Sequence, residues 1–414
     1  MTAYDVAKQI VQRLAEKGFI AYFAGGWVRD HLLKAPSDDI DIATNAAPSQ
    51  VQKIFPRNVA VGAAFGVIIV QSQGYDFEIA SFREDESYQN GRKPTAVTWS
   101  TPQEDALRRD FTINGMFYNP LTEEIIDYVG GQEDLRKGII RAIGNAEQRF
   151  AEDRLRMIRA VRFSHRLNFP IEEKTYTAIL HHASTLLPAV SMERIWQEFQ
   201  KMAKFPSFNK ALLQLHDLQL LQVIFPELKQ DIDKGTLLEK INHLSYLPTS
   251  LKVPPILLLM ELFLGTNLET KIAICRRLKT TLKDIQLCQK LAQAEQLIQA
   301  RDKASLADWI RFDAQHDSML ILEFLCNRYS FAEQLAQISI HKQRQAQYSD
   351  YIERIQNKKP VVSAALLQQE GIKPGRQMGE LLHIAENISI NEQITTPVEI
   401  IQKLKLSALW TNTF

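Results

Sequence analysis

Along the first part of the chain the spacing of apolar positions changes period several times. Residues 4 to 17 place them at helical intervals, "FIAYFAGG" reads as a short strand ending in glycines, and "WVRDHLL" starts a helix. "DIDIAT" alternates with period two, which predicts a strand with its aspartates on one face. "VIIVQSQGYDFEIASF" predicts two strands joined at Gln73-Gly74, with Glu78 near the end of the second, and "EEIIDYVGG" a further strand leading to a glycine turn. Strands mixed with helices to about residue 136 predict an α+β domain with a mixed sheet. Beyond residue 140 apolar residues recur at helical spacing, and prolines at 170, 188, 206, 226, 248, 254 and 255 punctuate the pattern, so an all-helical remainder is expected.

Composition narrows the classes. The 414 residues suffice for two to four domains, and 45% hydrophobic content is ordinary for a globular chain. A formal net charge of +1 gives no global field for nucleic acid or membrane, so any such surface is local. Cys275, Cys288 and Cys326 are scattered and fit no CxxC or His-paired spacing, which reads as buried thiols of a reducing compartment. The N-terminal stretch mixes charge with apolar residues and is no signal peptide; "PPILLLMELFLG" (254–265) is too short to span a bilayer and carries Glu261. The expectation is a cytoplasmic protein with no membrane partner.

Candidate chemistry enters at "AGGWVRDHLLKAPSDDIDIATN". Gly25 and Gly26 run into an Arg-Asp pair, and twelve residues separate Gly26 from Asp39. On a strand, residues i and i+2 share a face, so Asp39 and Asp41 stand side by side. Two carboxylates that close raise each other's pKa unless a cation lies between them. Mg²⁺ suits the place, because it takes carboxylate oxygens and keeps positions for water and substrate phosphates. Two such ions activate an attacking hydroxyl and stabilise a leaving oxygen in phosphoryl displacement. The glycines let backbone N–H groups approach a triphosphate, the helix start adds its dipole, and Arg29 neutralises phosphate charge. A DxD or a GG alone is most often a solvated edge or a turn; their order and spacing together make them specific.

This pattern resembles the DNA polymerase β-like nucleotidyltransferases. Within that superfamily "GGWVRD" and "DDIDIATNA" are similar to the class II tRNA nucleotidyltransferases, the CCA-adding enzymes, and to the bacterial poly(A) polymerases. The resemblance implies that Asp39 and Asp41 hold the catalytic metals, with Glu78 of "FEIASFR" as a third carboxylate. "RRDFTINGMFYN" (108–119) resembles the family's second motif, implying that Arg109 contacts triphosphate or primer and that Asp110 and Asn114 organise the ribose and the head-to-neck junction. Gly115 stands where alanine is usual, a change expected to be harmless. The resemblance implies a head over 1–136, a neck over 137–200, a body over 201–330 and a tail over 331–414 that binds tRNA.

"AEDRLRMIRAVRF" (151–163) reads as one helix with Asp153 and Arg156 three apart, hence neighbours. Cytosine and adenine both offer an amino donor beside a ring acceptor, which a carboxylate and a guanidinium match. Uracil and guanine present the opposite order and leave a buried group unpaired, at a cost of roughly 1–3 kcal/mol. One protein pair thus accepts C and A without a template. This resembles the family's "EDxxR" motif. Arg159 continues the row toward the site, and Arg162 points either to nucleotide or to solvent; both resemble nucleotide-binding positions.

The polar segment 80–99 reads as a loop, and it resembles the flexible loop that enzymes stopping after two cytidines tend to lack. "GGQEDLRKGIIRAIG" (130–144) and "SMERIWQEF" (191–199) resemble structural motifs. His216-Asp217 has no companion histidines at metal spacing, which argues against a fused phosphohydrolase. The implied function is template-independent addition of CMP and AMP, from CTP and ATP, to the tRNA 3′ end. An A-adding enzyme or poly(A) polymerase is the alternative, and an RNA-binding scaffold with an extinct site a more distant one.

Overall fold

The computed structural model describes residues 1–414 apart from 63–65, 86–87, 90–92, 95–96, 229–232, 249, 301–302 and 412–414. The chain gathers into two compact units, Met1–Leu238 and Glu239–Phe414.

The first unit opens with α1 (Ala3–Glu16), which a Thr2–Asp5 capping box starts and which buries Val6, Ile10, Val11 and Leu14. β1 (Ala21–Ala24) and α2 (Gly26–Leu32) follow, then β2 (Asp41–Thr44), α3 (Pro48–Ile54) and β3 (Asn58–Gly62). β4 (Val67–Ser72) and β5 (Tyr75–Ser81) form the expected hairpin. Its two-residue turn takes positive φ at both Gln73 (50°) and Gly74 (85°), which matches the twist of paired strands.

β6 (Arg83–Asp85), β7 (Tyr88–Gln89), β8 (Lys93–Pro94) and β9 (Val97–Trp99) come next. After α4 (Pro102–Leu107), the sheet is completed by β10 (Phe117–Asn119) and β11 (Glu124–Ile126), ahead of α5 (Gly131–Lys137). The seven-stranded order is β11-β10-β1-β2-β5-β4-β3; β2 and β5 are parallel and the other neighbours antiparallel, so the sheet is mixed. Phe23, Ile42, Ile68, Val70, Phe77 and Ile79 supply its buried residues.

The loop expected over 80–99 is corrected in part. Arg83–Asp85 pairs antiparallel with Val97–Trp99, and Tyr88–Gln89 with Lys93–Pro94, while 86–87, 90–92 and 95–96 lie outside the described residues. The segment is polar and charged, so the alternation of apolar residues that marks a strand was missing from it. Trp99 packs on Gly66, where a Cβ would stand 2.8 Å from its ring.

Helices then take over: α6 (Ala146–Glu152), α7 (Leu155–Leu167), α8 (Glu173–His182), the short α9 (Leu186–Ala189), α10 (Met192–Met202), α11 (Phe208–Asp217) and α12 (Leu220–Ile224). The single helix read across 151–163 is corrected. α6 ends at Glu152, Asp153 is extended (φ −142°, ψ 102°), and α7 begins at Leu155. Asp153 accepts the Leu155 N–H at 3.0 Å, so its side chain competes with the helical ladder, as aspartates do at such starts. Gly115 is closely packed. A methyl there would lie 2.7 Å from Val129 Cγ2 and 3.0 Å from Ile143 Cδ1, so its neighbours already occupy the space alanine would need.

Past α12 the described residues form helices and short turns without a strand. Thr281–Asp284 and Ser305–Asp308 capping boxes start two of them. Glu261, the charge inside the longest apolar stretch, is fully buried; Arg328 donates to both its oxygens (3.0 and 2.6 Å) and His243 lies 2.8 Å away. Burial works to raise its pKa, but the hydrogen bond to His243 and the charge and hydrogen bonds of Arg328 outweigh it and hold the carboxylate below its usual range. The three cysteines are free and buried. No helix among the described residues is long and apolar enough to cross a membrane.

Candidate nucleotide-binding cleft

Sheet register brings the acidic residues together. The β1–β2 pairing sets Ala24 opposite Asp41, so the glycine turn after β1 lies beside that carboxylate. Parallel pairing of Ile42 with Ile79 puts Asp41 and Glu78, each one residue earlier, on adjacent strands. Asp39 lies just before β2 rather than on it. Ile40 between them is buried while Asp39 and Asp41 are exposed, so the two still point to one side.

Asp41 is pushed up to about 6, by surrounding protein first and then by the charges of Glu78 and Asp39, with Arg109 opposing. Crowded carboxylates of this kind are donors that a hard divalent ion takes, and Asp39 and Asp41 fit one.

Gly25 turns the chain at φ 66° and ψ −130°, a conformation suited to glycine. A Cβ there would stand 3.1 Å from Arg109 Nη1 and 3.8 Å from Asp41 Oδ2, so the absence of a side chain lets cation and carboxylate meet across the turn. Arg109 donates to Asp105 through Nε (3.1 Å) and Nη2 (3.0 Å) and lies over the Phe117 ring.

Asp110 and Asn114 tie head to helix. Asp110 Oδ2 accepts from Arg159 Nε and Nη2 (2.8 and 2.5 Å), while Oδ1 accepts from Phe111 N–H and Asn114 Nδ2. Burial works to raise its pKa, but Arg159 and the hydrogen bonds win and hold it at about 2. Asn114 Oδ1 in turn accepts from Arg29 Nη1 at 2.6 Å. Arg29 is 1% exposed and also paired with Asp30, so it braces the floor beneath Gly26.

Asp153 and Arg156 do not pair with one another. Arg194 of α10 donates to both oxygens of Asp153, and Arg156 donates to Glu152 (2.8 Å) and to the Arg149 and Arg108 carbonyls. Arg162 is buried against Glu198 at 2.5 Å and over the Phe163 ring, not turned to solvent.

These residues surround a cavity of about 400 Å³, lined by Gly25, Gly26, Arg29, Asp41, Arg109, Asp110, Asn114, Asp153, Arg156, Arg159 and Arg162. Asp39 and Glu78 stand beside it, next to Asp41. Arg108, Phe163, Arg166 and Arg194 also line it and were missed. Arg166 continues the 159–162 row by four and was open to that periodicity, whereas nothing in "SMERIW" marks Arg194. Eight arginines among the described residues face this space, each fixed by a carboxylate: Asp30, Asp105, Asp110, Glu152, Asp153 or Glu198. Such a wall is preorganised for a polyanion.

Residues 21–141 match the family described as "Poly A polymerase head domain", and residues 168–232 match "Probable RNA and SrmB- binding site of polymerase A". A CCA-adding enzyme of Bacillus cytotoxicus is 42% identical over 221 residues, 53% of this chain and 55% of that protein. One from Streptococcus mutans is 41% identical over 210 residues, 50% and 52% of the two chains. The chain spans about half the length of the curated relatives it matches. Over the full length, the crystal structure of a Bacillus stearothermophilus CCA-adding enzyme in complex with CTP is similar at TM-score 0.81. It is 26% identical, and the match covers 97% of this chain and 98% of that one. Residues 21–141 are thus similar to a poly(A) polymerase head domain, and the chain takes the fold of the CCA-adding enzymes, the family its motifs resemble.

Proposed function

We propose that this protein is a template-independent nucleotidyltransferase that adds CMP and AMP, from CTP and ATP, to the 3′ end of tRNA. The observation that carries the reading is the single cavity shared by the Asp41 carboxylate and the Asp153–Arg194 and Arg156–Glu152 pairs. A triphosphate and a base are each provided for there, with no place for a template strand required.

Asp39 and Asp41 would hold Mg²⁺, which when bound activates the attacking hydroxyl and stabilises the leaving oxygen. Around it the chain's own groups act. Gly25 admits the triphosphate close to the backbone, and Arg109 and Arg159 meet its charge. Asp153 Oδ2, which accepts from Arg194 alone while Oδ1 accepts from both Arg194 and the Leu155 N–H, has a lone pair left to accept an amino hydrogen. Arg156, with three of its five N–H groups engaged, donates from the rest to the ring acceptor. The primer 3′-OH attacks the α-phosphate and pyrophosphate leaves. The helical segments after the head would hold the acceptor arm by shape and phosphate contacts, in the cytoplasm where tRNA is matured.

The test supplies three RNAs in turn: tRNA lacking its CCA end, tRNA ending in CC, and an unrelated RNA, each with labelled CTP or ATP and Mg²⁺. CTP incorporation onto the bare tRNA, then AMP onto the CC form, is the expected result. AMP added only to the CC form, or a long A tract on any RNA, identifies an A-adding enzyme or poly(A) polymerase instead. No incorporation leaves an RNA-binding scaffold.

A further inference from the structure

One cluster of ligand-bearing side chains lies outside the cleft and takes no part in the reading above. Glu147 stands in the first turn of α6, and His181 and His182 close the last turn of α8, the helix packed against it. His181 Nδ1 lies 3.0 Å from Glu147 Oε2, and His182 Nε2 lies 2.7 Å from the same oxygen. One ligand atom from each residue falls within 4.8 Å of the other two.

We propose that Glu147, His181 and His182 hold a divalent transition-metal ion, with zinc as the fitting occupant. Two imidazole nitrogens and a carboxylate oxygen are the donors that zinc takes with an open fourth position. They differ in kind from the all-oxygen set at Asp39 and Asp41, because imidazole selects zinc, copper or nickel over magnesium. Successive residues on a helix point about 100° apart, so adjacent histidines converge poorly in mid-helix. Here α8 ends at His182 and passes into a 3₁₀ turn, Ala183–Thr185, while α6 supplies the third ligand from across the contact. The helix end adds partial negative charge beside the cation. The His181 side chain is 75% exposed, which leaves room for water to complete the ion's shell. An ion there ties the start of α6 to the end of α8, and α6 ends at Glu152, the partner of Arg156.

The test uses the full-length protein stripped by a chelator, titrated with zinc by calorimetry and with copper(II) under electron paramagnetic resonance. We expect one zinc equivalent whose affinity falls at least about tenfold in His181→Ala and in His182→Ala. Copper coupling to two imidazole nitrogens should drop to one in each variant, and Glu147→Gln should weaken zinc while keeping both nitrogens. Weaker sites on oxygen donors stay unchanged in all three. Should His182→Ala fail to fold, His181→Ala, largely exposed, carries the test alone. Unaltered zinc affinity and copper spectra in His181→Ala overturn the proposal.

Discussion

Arg194 donates to both carboxylate oxygens of Asp153, at 3.3 and 2.8 Å, from forty-one residues further along the chain. In the proposed reading it is a positioning residue, which holds the plane of the carboxylate that would meet the base. Arg194→Ala is expected to relax base choice, raising incorporation of U and G relative to C and A by about tenfold, the effect of roughly 1–3 kcal/mol for a mispaired buried group. Transfer from each nucleoside triphosphate onto a bare tRNA measures this. An unchanged ratio would remove Arg194 from specificity.

Arg156 reaches the same cavity from the start of α7, fixed by Glu152 and two carbonyls. Arg156→Ala should blur the choice of base more than it weakens triphosphate binding. Kinetics with CTP, ATP and UTP separate the two, and selectivity equal to wild type would contradict the assignment.

Asp39→Ala and Asp41→Ala are each expected to abolish transfer while nucleotide binding stays weakened but measurable, because Arg109 and Arg159 remain. Labelled-nucleotide incorporation and equilibrium binding are the two readouts. Full activity in either variant ends the metal assignment.

Gly25 touches both halves of the chemistry, with Arg109 Nη1 and Asp41 Oδ2 at its missing Cβ. Gly25→Ala forces a side chain into glycine-only backbone space, at a cost of about 1–3 kcal/mol, and pushes Arg109 away. The expected outcome is a large loss of kcat/KM with unchanged far-ultraviolet circular dichroism. A variant as active as wild type would show that this turn tolerates a side chain.

Asp110 supplies the pH dependence. Its ordinary value of 3.8 falls to about 2 in the fold, so it binds a proton less readily there than in the unfolded chain. Its contribution, about 2 kcal/mol, is fully present above pH ~4 and is lost as pH falls toward 2. Urea unfolding between pH 5 and 2 should show this loss, and Asp110→Asn should be less stable at neutral pH with a shallower slope. A slope identical to wild type would rule out the Arg159 pair as its source.

What the sequence determined by itself was local. The hairpin at Gln73-Gly74, the strand that runs on from Asp41 and the turn of Gly25 and Gly26 follow from backbone preferences and from the alternation of adjacent residues. Those forces act over a few positions, so a short window carries them. The Asp39–Asp41 pair was legible for the same reason, since Ile40 must go inward and its neighbours outward.

Tertiary structure decided the partners. Glu78 joins Asp41 only through the parallel register of β2 with β5, and Asp153 meets Arg194 only because α10 packs beside α7. Spacing made Asp153 and Arg156 look like a pair on one helix; the chain breaks at Asp153 and gives each a different ion-pair partner. Register and packing are set by the sum of many weak contacts among segments distant along the chain, and no short stretch holds that sum.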